Sequence, residues 1–383
     1  MRIAYVCTDP GIEIFGTKGA AIHVRAVITE LLRQGHEVQL ITPRPGDRPT
    51  LPVPIHQLPA VSGNAAAERE RSAQASDAAV AAALDAVAPD LVYERYALWG
   101  RTGTAWAAAH GVPSLLEVNA PLTIEQATFR SLVDQGGAER VAEDALSTAS
   151  AVVCVSAGVA DWARVVSRRS DRIAVIGNGV DPARISPARR PVAAAEATDF
   201  TVGFIGSLKA WHGVDTLIRA LARLRGDRHP WRGLIVGDGP MRQDLARLAD
   251  DLGVAEAIEF TGAVTGDRVA GQLRRFDIAC APYPALGRFY FSPLKVYEYL
   301  AAGLPVIGSA IGEIPDVLDH GRLGRLAPPG DPAALADELV LLRRDHDERR
   351  RLRARTREAA LTRHSWAGVV NRSLALLDLA AVA

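Results

Sequence analysis

Three residues of this chain stand apart by type: it has three lysines, Lys18, Lys209 and Lys295, against 41 arginines. A coding preference for arginine explains the ratio but not the places where lysine persists. All three lie in short glycine-, serine- or proline-containing segments between a strand-like run and a helix-like one. A compact ammonium fits a tight phosphate pocket in a way a broad planar guanidinium does not, so these positions are expected to meet an anion. Gly16-Thr17-Lys18-Gly19-Ala20-Ala21 opens a long helical pattern, where small residues and unpaired amides suit an anion. It has neither the spacing of a dinucleotide fingerprint nor the ending of a P-loop. Gly206-Ser207-Leu208-Lys209-Ala210-Trp211-His212-Gly213 follows a strand and presents Lys209, within reach of a diphosphate. In Gly237-Asp238-Gly239-Pro240 the glycines suit either backbone contact with a flat base or a plain tight turn, and Pro240 suits a helix start.

The stretch from Ser292 to Val306 is the most informative. Ser292 is a good N-cap and Pro293 a good first helical residue, which puts Lys295 in the first turn. A cation there opposes the helix macrodipole by about 0.3–1 kcal/mol, a penalty that a bound anion reverses. Glu298, three residues on, shares that helix face and could take two hydroxyls of a ribose.

The elements that must hold these loops read as alternating strands and helices. In the first half the expected strands are 2–7, 37–42, 91–94, 114–118, 151–155 and 173–176, with helices at 20–34, 65–88 and 122–147. Gly35 stands where a left-handed helix cap would sit. The Pro-rich loop from Pro43 to Pro59 carries no catalytic constellation. The second half restarts the same grammar with strands at 200–205, 233–236, 258–261, 278–281 and 305–308, and helices at 214–225, 241–252, 267–276 and 293–302. Such alternation implies α/β, doubly wound parallel sheets. Two in series predict a Rossmann-like domain over 1–190 and another over 191–363, joined by a hinge-like linker at 186–199, facing each other across a cleft. The apolar helix within 364–383 is expected to dock back on the first domain.

Composition narrows the function classes. At 383 residues the chain suits two domains, and 44 basic residues balance 44 acidic ones, so neither half is a basic nucleic-acid binder. No apolar run approaches a membrane span. The start runs straight into a strand with no leader, so a cytoplasmic location is expected. Cys7, Cys154 and Cys280 are far apart in apolar segments and read as reduced core thiols. The Arg-rich segment 343–363 reads as a solvated helix face with local ion pairs; a weak peripheral contact with an anionic inner membrane face is the alternative.

The stretches NGVD at 178–181, GSLKAWHGVDTLIRAL, VGDGP, SPLKVYEYLAAGLPVIGSAIGEIPDVL and GRLGRLAPPGDPAALADEL resemble the retaining GT-B glycosyltransferases of the family 4 type. That family includes bacterial mannosyl-, glucosyl- and N-acetylglucosaminyltransferases and sucrose synthases. The resemblance implies a GT-B fold and a hexosyltransferase that moves a sugar from a UDP- or GDP-sugar to a hydroxyl acceptor, with retention of configuration. By resemblance Glu298 matches the second glutamate of an E-x(7)-E motif and holds the ribose, while Lys209 and Lys295 are the catalytic cations on the diphosphate and Val264 meets the base. The donor set is then Gly19, Gly206, Ser207, Lys209, Gly237, Gly239, Val264, Phe291, Ser292, Leu294, Lys295 and Glu298. Lys18, Glu117, Asn119 and Tyr290 are expected at the acceptor or donor sugar. The chain departs from the pattern in three places: Tyr290 stands where the first glutamate would fall, Ser207 and His212 replace the usual Arg and Lys, and SLLEVNAP at 114–121 replaces a His-containing segment.

Charge builds on the departing diphosphate as the sugar becomes oxocarbenium-like, and positioned lysines and amides can stabilise it in place of a metal. No metal or other cofactor is therefore expected. The single Asp-x-Asp, Asp345-His346-Asp347, lies in the Arg-rich segment and reads as surface. Front-face attack, with the diphosphate accepting the proton, is the working mechanism. The alternatives are a GT-B-fold epimerase acting on the nucleotide sugar, and a nucleotide-sugar-binding protein without transfer activity.

Overall fold

The computed structural model describes residues 1–47, 49–187, 200–226, 230–287 and 289–380. Two compact units emerge: 1–178 with 290–292 and 366–383, and 179–289 with 293–365. They divide at Asn178–Gly179 rather than at 190, and most of the expected linker, 188–199, lies outside the described residues.

The first unit holds a fully parallel sheet of seven strands: β1 Arg2–Cys7, β2 Glu37–Thr42, β3 Ile55–Gln57, β4 Leu91–Arg95, β5 Ser114–Val118, β6 Ala151–Cys154 and β7 Ile173–Val175. Their order is β3-β2-β1-β4-β5-β6-β7, so the winding reverses between β1 and β4. Near-continuous burial of β1, β4, β5 and β6 reflects helices on both faces, which is why these strands read as unbroken apolar runs. Strand β3 hides in the Pro-rich loop; three residues are too few for a period, and it pairs only at the edge, Leu40 against Ile55. Gly35 has φ 82°, and the amides of Gly35 and His36 reach back to Leu32 and Leu31, closing the first helix as expected.

Two long helical patterns each break into a pair. The expected 65–88 helix is Ala66–Gln74 and Asp77–Val87; the expected 122–147 helix is Leu122–Phe129 and Gln135–Thr148. In the second break the Glu70 carboxylate accepts the Val133 and Asp134 amides at 2.8 and 3.0 Å, and Asp134 caps the new helix through the Gly137 amide. The last helix, Trp366–Ala380, packs on the Gly19–Arg33 helix of this unit, where Trp366 meets His23 edge-on.

The second unit holds β8 Phe200–Ile205, β9 Trp231–Val236, β10 Ile258–Gly262, β11 Ile278–Ala281, β12 Val306–Ser309 and β13 Arg325–Ala327, all parallel, in the order β10-β9-β8-β11-β12-β13. Its winding reverses between β8 and β11. Phe200, Phe204, Leu217, Ile235, Ile278 and Leu339 form part of its core. The Arg-rich segment, whose helix is His346–Thr362, turns much of its charge to structural use. Arg343 donates to the Pro230 carbonyl, buried Arg349 to that of Leu342, and Arg357 to those of Pro182, Ile185 and Ala301. Asp345 of the Asp-x-Asp caps the helix through the Glu348 amide. Among the described residues no helix is long and apolar enough to cross a membrane.

Candidate functional site

In an open parallel sheet, ligands sit beyond the carboxyl ends of the strands where the winding reverses. In the second unit that point is the end of β8 beside the end of β11, and it brings several of the expected donor residues together. The helix after β11 runs Leu294–Ala301. Tyr299 anchors it: its hydroxyl accepts the Ile205 amide at 2.9 Å and donates to the Cys280 carbonyl at 3.3 Å, tying the helix to the last residues of β8 and β11. One turn earlier, Lys295 is therefore delivered to Gly206. A Cβ on Gly206 would lie 3.0 Å from Lys295 Nζ, and Gly206 has φ 146°, so glycine is required there by both space and backbone.

Lys295 is 8% exposed, and its ammonium has no hydrogen-bond acceptor among the described residues. Instead it lies over two rings, 4.1 Å from the centroid of Phe204 and 5.1 Å from that of Tyr283. Burial pulls its pKa down to about 7, against a smaller upward pull from Glu298. A buried cation with aromatic faces and no acceptor among the described residues is an incomplete electrostatic unit.

Glu298 sits one helical turn on. Arg184 Nη2 donates to its Oε1 at 3.3 Å, while Arg184 Nη1 holds the Gly266 carbonyl. Burial raises the Glu298 pKa, with Arg184 and Lys295 pulling the other way. Arg184 was not expected; it lies three residues past the NGVD segment, where no local pattern marks it.

Lys209 is exposed at the loop after β8, its Nζ 4.7 Å above the Trp211 ring. Behind it, His212 Nδ1 donates to the Ser207 carbonyl, fixing the Nδ1–H tautomer. Gly237 and Gly239 have a packing job. A Cβ on Gly237 would come 1.9 Å from the Gly206 carbonyl oxygen, and one on Gly239 2.6 Å from that of Leu208. The two loops are laced by Gly206 N to Val236 O, Leu208 N to Asp238 O and Met241 N to Leu208 O. Val264 is half-buried just beyond β10, Ser207 is exposed, and Leu294 begins the Lys295 helix half-buried.

Ser292 corrects its expected role. It is buried in the first unit rather than capping the helix; its Oγ accepts the Asn178 amide at 3.1 Å and its carbonyl accepts Asn178 Nδ2 at 2.8 Å. Pro293 takes the N-cap position, with no side-chain cap. Tyr290 and Phe291 also belong to the first unit, ring edge to ring face at 5.6 Å. The Tyr290 hydroxyl donates to Glu125, and its carbonyl accepts from Ser156.

Glu117 also departs from expectation. It is 2% exposed, and both oxygens are engaged: Tyr93 donates to one at 2.8 Å, Arg95 to the other at 2.9 Å, and His23 Nε2 lies 2.8 Å from that second oxygen, off the line of a good hydrogen bond. His23 Nδ1 donates to Asn178 Oδ1 at 2.7 Å. Burial raises the Glu117 pKa, but His23, Arg95 and Tyr93 outweigh it and hold it at about 2. Such a carboxylate braces the sheet and offers a sugar no open oxygen. Asn119, just past β5, keeps a buried Oδ1 with no partner among the described residues; Lys18 and Gly19 are exposed at the start of the first helix.

The winding reversal of the first unit holds a cavity of about 450 Å³. Thr8, Asp9 and Gly11 after β1, Trp99 after β4, and Arg69 and Arg130 are among its lining residues, whereas Lys18, Glu117, Asn119 and Tyr290 are not. The loops that follow the two central strands are the signal that finds it; residue type alone points elsewhere. Among the described residues no group of three or more His, Cys, Asp or Glu is arranged to hold a metal ion.

Two family models match the chain in succession: Glycosyltransferase Family 4 over residues 17–184 and Glycosyl transferases group 1 over 199–345. A phosphatidyl-myo-inositol mannosyltransferase of Mycobacterium leprae is 33% identical over 207 residues, 54% of this chain and 53% of that protein. The chain thus spans about half the length of the curated relatives it matches. Among solved structures, sucrose-phosphate synthase from Thermosynechococcus elongatus superposes with TM-score 0.77 at 18% identity, covering 100% of both chains. Anabaena HepE in complex with UDP gives TM-score 0.77 at 19% identity, over 99% of this chain and 100% of that one. The order of the two matched domains, each on its own parallel doubly wound sheet, places the chain among the GT-B glycosyltransferases, with a family 4 domain ahead of a group 1 domain.

Proposed function

We propose that this chain transfers a sugar from a nucleotide-sugar donor to a hydroxyl acceptor, with retention at the anomeric carbon and without a metal ion. The observation that carries the reading is Lys295: a buried ammonium with no acceptor among the described residues, at the winding reversal of the second sheet, one turn from a carboxylate. Its spacing matches a nucleoside diphosphate, with phosphate against Lys295 and the glycine-walled end of β8, and ribose hydroxyls at Glu298. Lys209, exposed on the neighbouring loop, adds a second cation to the leaving group. A preorganised donor of this kind lowers the barrier by about 2.7–4 kcal/mol. Val264 borders the base, and the complex of Anabaena HepE with UDP makes UDP-sugars the first donors to try.

The acceptor hydroxyl is assigned to the cavity between the ends of β1 and β4. The departing diphosphate takes the proton of the attacking hydroxyl on the face it leaves, which needs no side-chain nucleophile. Incubating the protein with UDP- and GDP-sugars and a panel of sugar and cyclitol acceptors in EDTA, and reading the anomeric coupling of the product by NMR, tests the whole reading. Transfer in EDTA with the donor's configuration kept is the expected result. Transfer that stops in EDTA and returns with Mg²⁺ or Mn²⁺, or an inverted product, or isomerised donor alone, overturns it.

A further inference from the structure

The cavity of the first unit is walled by two carboxylates, Asp9 and Glu70, and two guanidinium groups, Arg69 and Arg130. They differ in how far each is already engaged. Glu70 accepts the amides of Val133 and Asp134, one on each oxygen. Asp9 gives Oδ1 to the Gly11 amide at 2.7 Å, and its Oδ2 accepts no hydrogen bond among the described residues. Two neutral groups of the wall are committed as well, Ser76 to the Ala73 carbonyl and Gln126 to that of Ser131. Arg69 holds the Gly63 and Asn64 carbonyls through Nη1 alone. Arg130 caps the Leu122–Phe129 helix, and among the described residues its side chain has no hydrogen bond or ion pair. The one carboxylate of that helix, Glu125, is taken by the Tyr290 hydroxyl. Thr8 Oγ1 is buried with no partner among the described residues, and half-buried Trp99 adds a flat apolar wall. We propose that the acceptor is a polyol ring bearing an anionic group, the anion held by Arg130 and Arg69 and the ring by Asp9, Thr8 and Trp99.

The unengaged groups dictate the ligand's two ends. A guanidinium only donates, in a planar fork that matches the paired oxygens of a phosphate or carboxylate. A sugar hydroxyl meets one prong of that fork and brings no charge. The open oxygen of Asp9 only accepts, so it calls for hydroxyl donors, and the Thr8 hydroxyl can serve either way. An all-anionic ligand would meet Asp9 with like charge; a neutral sugar would leave Arg130 without a counter-charge. One molecule answers both ends when hydroxyls occupy one and an acidic group the other. At about 450 Å³ the cavity has the size of a small-molecule site. Free sugar or cyclitol phosphates, uronic acids and the polyol headgroup of a phospholipid share this chemistry. The competing role for Arg69 and Arg130, both exposed, is that of solvated surface charges, which would confer no preference for an anionic acceptor.

This inference rests on the acceptor reading proposed above, and its test keeps the two apart. Transfer from UDP- and GDP-sugars is measured to glucose 6-phosphate, glucuronic acid and myo-inositol 1-phosphate, each against its uncharged parent. Vesicles of phosphatidylcholine with and without phosphatidylinositol offer the last headgroup on a lipid. At least one charged acceptor should be preferred by about tenfold or more in kcat/KM, with the preference weakening as salt is raised. Use of the lipid alone identifies a headgroup as the source, use of the soluble compound a free metabolite. Arg130→Gln should cut kcat/KM for the charged acceptor by about ten- to a hundredfold, chiefly through KM, and shrink the preference. Arg130→Lys should restore only part, because the charge returns without the fork. Trp99→Leu should weaken charged and uncharged acceptors alike. Equal use of charged and uncharged acceptors, or a preference that survives both Arg130 variants, overturns the anionic acceptor and leaves transfer standing. Calorimetry of the same soluble compounds without donor gives the complementary reading. Binding that needs Arg130, with no transfer to anything, upholds the anion site and overturns the transfer reading. Neither binding nor transfer overturns both.

Discussion

Each sheet of this protein buries a charged cluster, and the two clusters are built in opposite ways. In the first sheet, the Glu117 carboxylate accepts from Tyr93 and Arg95 with His23 beside it, and His23 Nδ1 donates to Asn178, so the buried charge has both counter-charge and donors. At the end of β8, Lys295 is also buried and has no acceptor among the described residues. Unpaired buried charge costs free energy that folding alone has no reason to spend, which is the ground for the ligand proposed at Lys295 and for reading Glu117 as scaffold. Residue type does not draw that line; completeness of the surroundings does.

The largest effect should come from breaking the matched cluster. Glu117→Ala leaves Arg95 buried beside a cavity with no counter-charge, at a cost of about 3–5 kcal/mol, read as a lower urea midpoint with little change in nucleotide affinity once folded. Acid should mimic the mutation. The Glu117 pKa is held at about 2, below its unfolded value, so its stabilisation is present above about pH 4.5 and is lost as pH falls toward 2. A nucleotide affinity that collapses in the folded Glu117→Ala protein would erase the contrast between scaffold and site.

Breaking the unmatched cluster should do the reverse. Lys295→Met is expected to stabilise the unliganded protein, because it removes a buried cation with no acceptor, and to lower kcat by about 10²–10³. The sign of the linkage is fixed by the downward shift to about 7: wild-type stability rises as pH climbs from 7 toward 10.5, and the rise is absent in Lys295→Met. Lys295→Arg should rescue poorly, since Gly206 and Phe204 already crowd the ammonium. Single-turnover transfer and thermal denaturation across pH check both halves; a Met variant less stable than wild type at pH 6 would show that the ammonium has a partner after all.

A third test stays within the first sheet, where Glu94 on β4 contrasts with Glu117 on the adjacent β5. Glu94 is also buried, but it has a helix-start amide, that of Thr104, and no cation among the described residues. Burial raises its pKa to about 7, with the Asp77 charge adding to the rise. The protonated form is thus favoured in the fold, so stability is greatest below about pH 4.5 and declines as pH rises to 7, by at most about 3 kcal/mol. Glu94→Gln should flatten that decline in a series of urea titrations. An unchanged slope would place the proton elsewhere.

The fold was legible because parallel strands buried on both faces and glycine-capped helices write themselves into short windows of sequence. What escaped was non-local. Strand β3 has three residues in a proline-rich loop and exists through its pairing with β2. Glu117 looked like a sugar ligand because a lone carboxylate after a strand looks alike whether its partners are a sugar or Tyr93, Arg95 and His23, which lie 22 to 94 positions away. Ser292 had the right neighbours for an N-cap, yet Asn178, 114 positions earlier, claims it. The glycines of VGDGP are explained by two loops pressed backbone to backbone, a contact no spacing rule contains. Lys295 and Glu298 were visible because the helix that presents them is written in a short local window.

The smallest effect separates two residues of one helix. Glu298 differs from Lys295 in having a partner already, Arg184, so its site is half-complete without ligand. Glu298→Gln keeps the shape and the Arg184 contact but replaces charge-assisted acceptance of ribose hydroxyls with neutral acceptance. Charged hydrogen bonds contribute about 1.5–3 kcal/mol against 0.5–1.5 for neutral ones, so the nucleoside diphosphate should bind about tenfold more weakly, with kcat at saturating donor changed far less. Lys295→Met, by contrast, should depress kcat even at saturation. The 2′-deoxy nucleotide sharpens the point: it should lose affinity in the wild type and lose little more in Glu298→Gln, because the bond it lacks is the one the mutation has already weakened. Additive losses would place Glu298 off the ribose, holding Arg184 and the Gly266 turn in position instead.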